Sequence, residues 1–408
     1  MSGRLGHRAG AGELMGLAQR AEVVIVGGGV TGASIAFHLA RRGVRDVVLV
    51  EKNFLASGPT GRSSACVRQH YSTPETCRMV LKALRFFERF AEHTGGRTAS
   101  FVRTGYLLGV DDRLRKPMEA SVALQRSAGI DSRLVTPRDM GEIEPRLRTD
   151  DLTAGCYEPE AGSADPAQTT QGFAGAARDR GVRIMEETSV SGIRVEGDRI
   201  AAVETSRGAI ATRRVVDAAG AWAHHLGKLV GVNLPITVCR HKIALVAWPA
   251  DARGPHPMVY DFVTNIYTRP ETGDMILVGP LDAEERADRA DPDAYREGLD
   301  FDERTDLLAR AATRFPVLEH GHVAHHYAGC FDVAPDWHPI LDETGPDGFY
   351  VAAGFSGHGF KLSPAVGDMV AQLVCEGKKP GDDIHAFRLS RFAEGRPIRG
   401  TYGDWLMC

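Results

Sequence analysis

Residues 23–40 read VVIVGGGVTGASIAFHLA. With Glu22 they open on EVVIV (Glu22–Val26), a short β-branched run bounded by glycine, the pattern of a strand buried on both faces. Ile35–Arg42 then carries apolar residues at helical spacing and stops at Gly43, a residue suited to a helix C-terminus. Asp46–Val50 is a second buried strand, so the stretch predicts a βαβ unit of about 30 residues. Between strand and helix, Gly27, Gly29 and Gly32 stand in GxGxxG spacing. The first allows a tight turn, the second lets backbone approach a pyrophosphate, and the third lets the helix pack on the strand. Val30 and Thr31 follow in the turn, and the helix N-terminus beyond it faces the phosphates with free N–H groups and its dipole. Glu51 closes the second strand where a carboxylate holds both ribose hydroxyls and disfavours a 2′-phosphate. The turn therefore predicts a dinucleotide site.

Working outward, 408 residues exceed what one core usually supports, which predicts two interleaved domains. A net charge of −4 without a long basic block speaks against nucleic-acid binding. The 7 cysteines are scattered and never spaced CxxC, which excludes a disulfide framework or a cysteine zinc site and predicts a reducing compartment. His322, His325 and His326, and the pair His224–His225, lack acidic or thiol partners in pattern, so no metal is expected. Residues 1–20 have no secretory apolar run and read as a disordered leader. Nothing approaches the roughly 20 apolar residues of a membrane span. A cytoplasmic, soluble chain is the expectation.

Further along, Thr73–Pro74–Glu75 has the residue types of a helix start, and apolar spacing carries the helix to about Gly95. Arg183 to Gly220 reads as short alternating strands. Tyr260–Thr268 and Asp274–Val278, joined across Glu271–Gly273, read as a hairpin, and Asp302–Phe315 as a helix. Phe349–Ala352 is a short strand, followed by the loop Gly354–Leu362 and a helix capped by Ser363–Pro364 that runs to about Cys375.

The turn alone does not distinguish FAD from NAD. Three other segments do: SGPTGRSSACVRQHY (57–71), AAGAW (218–222) and GFSGHGFKLSPAVG (354–367). The first is a loop rich in Gly, Ser and Arg, suited to wrapping a long cofactor. The second has small residues that admit close backbone approach. In the third, glycines let backbone lie against a planar ring while the following helix and Lys361 offer positive charge to a reduced flavin. A second GxGxxG is absent. With DVAPDWHPI (332–340) these motifs stand in the order of one family. The chain resembles the D-amino-acid-oxidase-like FAD-dependent oxidoreductases, in particular the sarcosine oxidase (beta subunit) and dimethylglycine oxidase/dehydrogenase branch.

The resemblance covers essentially everything after residue 20 and implies an α/β fold. A Rossmann-like FAD-binding domain (21–95, 150–232, 327–390) would carry an inserted antiparallel-sheet substrate domain (96–149, 233–326). It implies cofactor contacts at Gly27, Gly29, Val30, Thr31, Gly32, Glu51 and Lys52. Others follow at Arg62, Ser63, Ser64, Ala65, Val190, Ala219, Gly220 and Trp222, and at Gly354, Gly357, His358, Gly359, Phe360 and Lys361. It implies that Arg68 and Lys361 pair with a substrate carboxylate, that His358 sits beside it, and that Tyr267 faces the flavin, with His70 and Tyr71 as further pocket residues. Arg68 read by itself also fits a structural ion pair or a phosphate contact, His358 a structural role, Lys361 a flavin contact alone, and Tyr71 the core. The expected reaction oxidises a C–N bond of a small secondary or tertiary amino acid, passing hydride to flavin N5 before the imine hydrolyses. The electron acceptor, oxygen or another redox carrier, and the oligomeric state stay open.

Three departures bear on the chemistry. The position at which monomeric sarcosine oxidases attach FAD is Gly329 here, with Cys330 one residue away on the alternate face of a strand, so non-covalent FAD and a structural Cys330 are expected. Pro166 stands where the beta subunits carry a flavinylated histidine. The segment Asn265–Arg269 has Ile266 and Tyr267 where the oxidases place a lysine. Alternative readings are an FAD-dependent 2-hydroxyacid dehydrogenase, a flavoenzyme acting on a tRNA side chain, and a binding subunit without chemistry.

Overall fold

The computed structural model describes residues 19–282, 286–379, 381 and 383–402. Its centre is a six-stranded sheet in the order Arg183–Met185, Val47–Val50, Val23–Val26, Val215–Asp217, Phe349–Ala353, Ile340–Glu343. All neighbours are parallel except the last pair. Val23 to Val26 are buried on both faces, which is why the run is β-branched without a polar alternate. Helix Val30–Arg41 crosses between the first two strands and packs on helix Gly359–Glu376. That packing needs Gly367: a Cβ there would strike Ser34.

Three boundaries differ from expectation. The first helix starts at Val30, directly on the glycine turn, because Thr31 to Ser34 are small residues buried within the helix rather than a connecting loop. The last helix starts at Gly359, so Pro364 lies inside it and Ser363 is not its cap; the Ser363 carbonyl accepts from Ser34 Oγ at 2.8 Å. Tyr260–Thr268 is two strands, Met258–Asp261 and Ile266–Glu271, which turn at Asn265 in the left-handed region while Asp261 accepts from the Val263 amide at 2.9 Å. Thr73 precedes helix Pro74–Glu88, but its hydroxyl bonds Thr76 rather than a backbone amide.

A second sheet of eight strands runs Thr237–Ala247 beside His322–Val333 at one edge and ends on Ala154–Glu158 and Arg133–Val135 at the other. Its pairs are antiparallel apart from Met258–Asp261 with Tyr106–Val110. Ala154–Glu158 joins this sheet although the sequence reading placed it with the nucleotide segments; a short apolar strand carries no mark of which sheet it enters. Gln19–Arg20, expected in the leader, pair with Ile210–Ala211 in a separate four-stranded sheet; the rest of that leader (1–18) lies outside the described residues. Among the described residues no helix is long and apolar enough to cross a membrane.

The strand bearing Tyr260 is bolted from behind. Arg314, 1% exposed, donates from Nε to Asp261 at 2.8 Å and from Nη1 to Asp151 at 2.8 Å. Removing the guanidinium leaves the Asp261 carboxylate buried without its cation, a loss of about 3–5 kcal/mol in such pairs. Arg314→Met should therefore lower the unfolding free energy by about that amount in a urea titration. A loss within experimental error would show that the pair is dispensable.

Candidate active site

One large cavity, about 670 Å3, lies along the C-terminal ends of the central parallel strands. Gly27, Gly29, Val30 and Thr31 line one end, and Gly357, Gly359 and Phe360 the other. Two long helices thus begin at the same cavity, at Val30 and at Gly359, and neither is capped by the side chain of its own N-cap residue, although Thr60 Oγ1 accepts from the Val30 amide at 3.2 Å. The remaining N–H groups and two dipole ends facing one space suit a ligand with negative charge at both ends, a pyrophosphate and a reduced ring. Glu51 Oε2 accepts from the Gly28 amide at 2.7 Å and Oε1 from the Asn53 amide at 2.9 Å, which orients the carboxylate at the cavity wall. Lys52, Arg62, Ser63, Ser64, Val190, Ala219, Gly220 and Trp222 line the same space. The residues present therefore fit FAD.

The remaining expected cofactor positions act differently. Gly32 does not line the cavity; a Cβ there would collide with the Gly27 carbonyl, so it serves helix-on-turn packing. Ala65, Gly354, His358 and Lys361 stand behind the lining residues. Ala65 and Gly354 adopt positive φ (51° and 74°), shaping the two loops instead of touching the space. Cys330 is buried as expected, but it also forms part of the cavity wall and packs beside Ala221 and Trp222. Burial pushes its thiol up to about 11, away from the reactive thiolate. Gly329 faces Arg62.

Beside this cavity the chain gathers an arc of aromatic and basic side chains from the eight-stranded sheet and from the segments around Arg68 and His358. His358 Nδ1 and the Tyr71 hydroxyl are hydrogen-bonded at 3.0 Å. The Arg68 guanidinium lies over the rings of Tyr71 (4.8 Å) and Tyr260 (5.3 Å). Tyr260 stacks on Tyr267 at 5.2 Å, the Tyr267 hydroxyl meets His241 Nε2 at 2.9 Å, and His241 stacks on Phe331 at 4.1 Å. Arg68, His358, Lys361 and Tyr267, separated by up to 293 positions in sequence, are thus brought to one place, all 5% exposed or less. Burial, and then the charges of Lys361 and Arg68, hold His358 well below its usual value. His70 faces away from the cavity: its Nε2 is 2.6 Å from the Tyr402 hydroxyl and burial pushes it down to about 3.

Sequence reasoning missed His241, which lines the cavity from Thr237–Ala247, a strand whose inward alternation was not read. It also missed the buried carboxyl groups of Asp332, Asp217 and Glu158. Asp332 accepts from the Gly354 amide at 2.7 Å and the Phe355 amide at 3.1 Å, pinning the start of the GFSGHGF loop. Asp217 ends its central strand, accepts from the Ala219 amide at 3.1 Å, and leaves Oδ2 buried without a hydrogen-bond partner. Burial pushes Asp332 up to about 6 and Asp217 up to about 8, the latter aided by the Asp332 charge. His70, Cys156 and Glu158 bring ligand atoms within 4.8 Å, but Cys156 is engaged by Ser132 at 3.1 Å and His70 by Tyr402.

A parallel nucleotide-binding sheet, two helix N-termini on one cavity and a basic, aromatic wall define a dinucleotide-dependent oxidoreductase. Residues 22–373 match the family of FAD dependent oxidoreductases known as DAO, and the chain belongs to it. Mitochondrial sarcosine dehydrogenase of Mus musculus is 30% identical over 92% of this chain, which spans only 42% of that protein's length. Sarcosine oxidase subunit beta of Rhodobacter capsulatus is 25% identical over 93% of this chain and 90% of its own. Among solved structures, L-proline dehydrogenase from P. horikoshii superposes with a TM-score of 0.85 at 29% identity, covering 94% of this chain and all of that one.

The raised carboxyls give a pH test. An unfolded Asp titrates near 3.9, so Asp217 holds a proton in the fold that the unfolded chain has lost, and stability falls as pH rises toward about 8. Buried histidines with lowered values act oppositely, but their contribution is complete by about pH 6.5. Tm should fall from about pH 6.5 to pH 8.5, and Asp217→Asn should flatten much of that slope. An unchanged slope in the variant would exclude Asp217 as its source.

Proposed function

We propose that the chain oxidises the C–N bond of a small secondary or tertiary amino acid of the sarcosine or dimethylglycine kind, using FAD held without a covalent bond. The observation that carries this is the meeting of Arg68, Lys361 and His358 with the His241–Tyr267 pair beside the cofactor cavity. In this reading the residues of the parallel sheet and their helices form the FAD domain, and the eight-stranded sheet covers the substrate.

Arg68 offers a planar fork to a substrate carboxylate and Lys361 a point charge, so the anionic end of the amino acid is fixed. The same two cations oppose an ammonium beside them, so the amine binds in its neutral, oxidisable form. His358, kept neutral by burial and by those cations, adds no further charge, and its bond to Tyr71 fixes the ring. Tyr267 and His241 form the facing wall, where a hydroxyl held by an imidazole orients the substrate nitrogen. Bound FAD supplies the acceptor for two electrons and a hydrogen from the carbon next to nitrogen. The imine so formed hydrolyses to a carbonyl compound and an amine.

The 25% identity to sarcosine oxidase subunit beta, over nearly the full length of both chains, supports amine chemistry, as do the names of the sarcosine and proline dehydrogenases. Tyr267 in place of a lysine supports an acceptor other than oxygen.

Anaerobic addition of sarcosine, dimethylglycine, proline and glycolate or lactate to the purified flavoprotein tests the reading. Bleaching of the oxidised-flavin band by the N-alkyl amino acids is the expected result; bleaching by the hydroxy acids alone would overturn it. Arg68→Met should keep FAD but raise KM for the amino acid about 30-fold or more, since a buried charge partner is lost. Equal KM in variant and parent would remove Arg68 from substrate binding.

A further inference from the structure

Strand Thr237–Ala247 holds a returning segment at two places. At the first, the Arg240 amide donates to the Asp288 carbonyl at 2.8 Å and the Ala290 amide to the Val238 carbonyl at 3.0 Å. At the second, the buried Arg240 guanidinium donates from Nε to the Arg296 carbonyl at 2.8 Å and from Nη2 to the Gly298 carbonyl at 2.7 Å. Between these anchors residues 291–294 close a turn of their own. The Asp293 amide donates to Asp291 Oδ1 at 2.9 Å and the Ala294 amide to the Asp291 carbonyl at 3.0 Å. The turn brings Pro292 and Asp293 to the cofactor cavity. There Asp293 joins two residues of the other wall. One carboxylate oxygen accepts from Lys52 Nζ and the other from the Trp222 indole at 2.9 Å, while Lys52 Nζ lies 3.8 Å from the centre of the Trp222 ring. Lys52 comes shortly after Val47–Val50 and Trp222 after Val215–Asp217, both strands of the central sheet. Neither side chain has another hydrogen bond among the described residues. Beside them Arg62 donates to Glu297 at 2.6 Å. All five residues line the cavity, and Asp293 and Glu297 are more than half exposed, so these bonds stand where the cavity meets solvent.

Resting on the reading that FAD is held without a covalent bond, we propose that Asp293 is a latch on the cofactor cavity. FAD enters and leaves only when Asp293 lets go of Lys52 and Trp222, with Arg62 and Glu297 as a second catch. No covalent bond changes, and the latch works in the same way whichever substrate is oxidised.

The opposite part of the cavity cannot yield in this way. Gly27 and Gly32 are fixed by backbone contacts, and Glu51 by the amides of Gly28 and Asn53. The bonds of Asp293 and Glu297 compete with water, and an exposed ion pair shifts an opening equilibrium by about fivefold at most. Salt weakens such pairs, since the Debye length falls from about 10 Å at 0.1 M to about 3 Å at 1 M. A latch acts on entry and release alike, because both pass through the open form, and it leaves their ratio unchanged. A side chain that only touches bound FAD slows release alone, and its removal raises Kd in step with the release rate.

The test uses the FAD-loaded protein. Release is measured as exchange of bound FAD for an excess of a chlorinated FAD analogue, followed in the visible spectrum, and Kd by equilibrium dialysis. From about 0.1 to 1 M NaCl the release rate of the parent should rise about fivefold while Kd stays nearly constant. In Asp293→Ala release at low salt should be about fivefold faster, again at nearly constant Kd, and most of the salt effect should be gone. Glu297→Gln in the same chain should remove the rest, and Asp293→Glu, which keeps the carboxylate, should release FAD slowly. Release that ignores both salt and Asp293→Ala overturns the proposal. So does a Kd that rises in step with the release rate, which would make Asp293 a wall contact. Acid denaturation separates the two layers: flavin that stays on the precipitated protein overturns the non-covalent reading and this one with it. Freed flavin together with salt-independent release overturns this proposal alone.

Discussion

The fold turns on one contact between backbone atoms. At Gly27, with φ +114°, the chain leaves its strand against the Ala218 carbonyl, and Gly32 sets the first helix turn onto the Gly27 carbonyl. Side chains at either position would drive strand, turn and helix apart. Because they meet, the helix N-terminus opens straight onto the end of the central strands, and the AAGAW segment lies against the same turn. The cavity that accepts the cofactor is therefore a consequence of packing and not an added feature. Helix Gly359–Glu376 crosses the first helix by the same device at Gly367, which brings a second N-terminus to the far end of that cavity.

Loops between these rigid parts are held by buried carboxylates. Asp332 takes the amides of Gly354 and Phe355, Asp217 that of Ala219, and Glu158 that of Gln69. Each acid sits on a strand, each amide on a loop that carries site residues. An ionised carboxylate accepting backbone N–H groups, as Asp332 is above about pH 6, fixes a loop more firmly than a neutral acceptor does, whereas Asp217 accepts as a neutral carboxyl up to about pH 8. The cost is desolvation, which pushes all three acids above the ordinary carboxylate range. The loop amides pull the other way, and burial outweighs them.

This explains how far the sequence could be read. The glycine turn, Glu51 and the two loops around Arg68 and His358 announce themselves because cofactor chemistry demands unusual residues at fixed spacing. Arg68 and Lys361 were singled out with those loops, and the fold buries both. His241 was not, since a histidine between Arg240 and Lys242 looks like any other polar strand position, and only the pairing with His322–Val333 and the hydroxyl of Tyr267 give it meaning. Asp217, Asp332 and Glu158 were invisible in the same way: a strand-terminal acid is common, and its burial depends on elements far away in sequence. The start of the last helix was misplaced because Ser–Pro is a good local helix start, whereas the true start answers to the Gly354–His358 turn pinned by Asp332.

The rim of the cavity is closed more lightly than its floor. Pro292, Asp293, Tyr295 and Glu297 line the cavity, where Asp293 meets Lys52 and the Trp222 indole N–H (2.9 Å), and Glu297 meets Arg62 at 2.6 Å. Asp293 and Glu297 are more than half exposed, and exposed pairs contribute at most about 1 kcal/mol each. The floor is built of glycine contacts and buried hydrogen bonds that cannot yield without unfolding. A cofactor held at the floor by two helix ends, and only latched at the rim, can enter a folded protein without a covalent anchor. Under the proposed non-covalent binding, the burden of retaining FAD falls on the floor, where the two helix N-termini face the cavity.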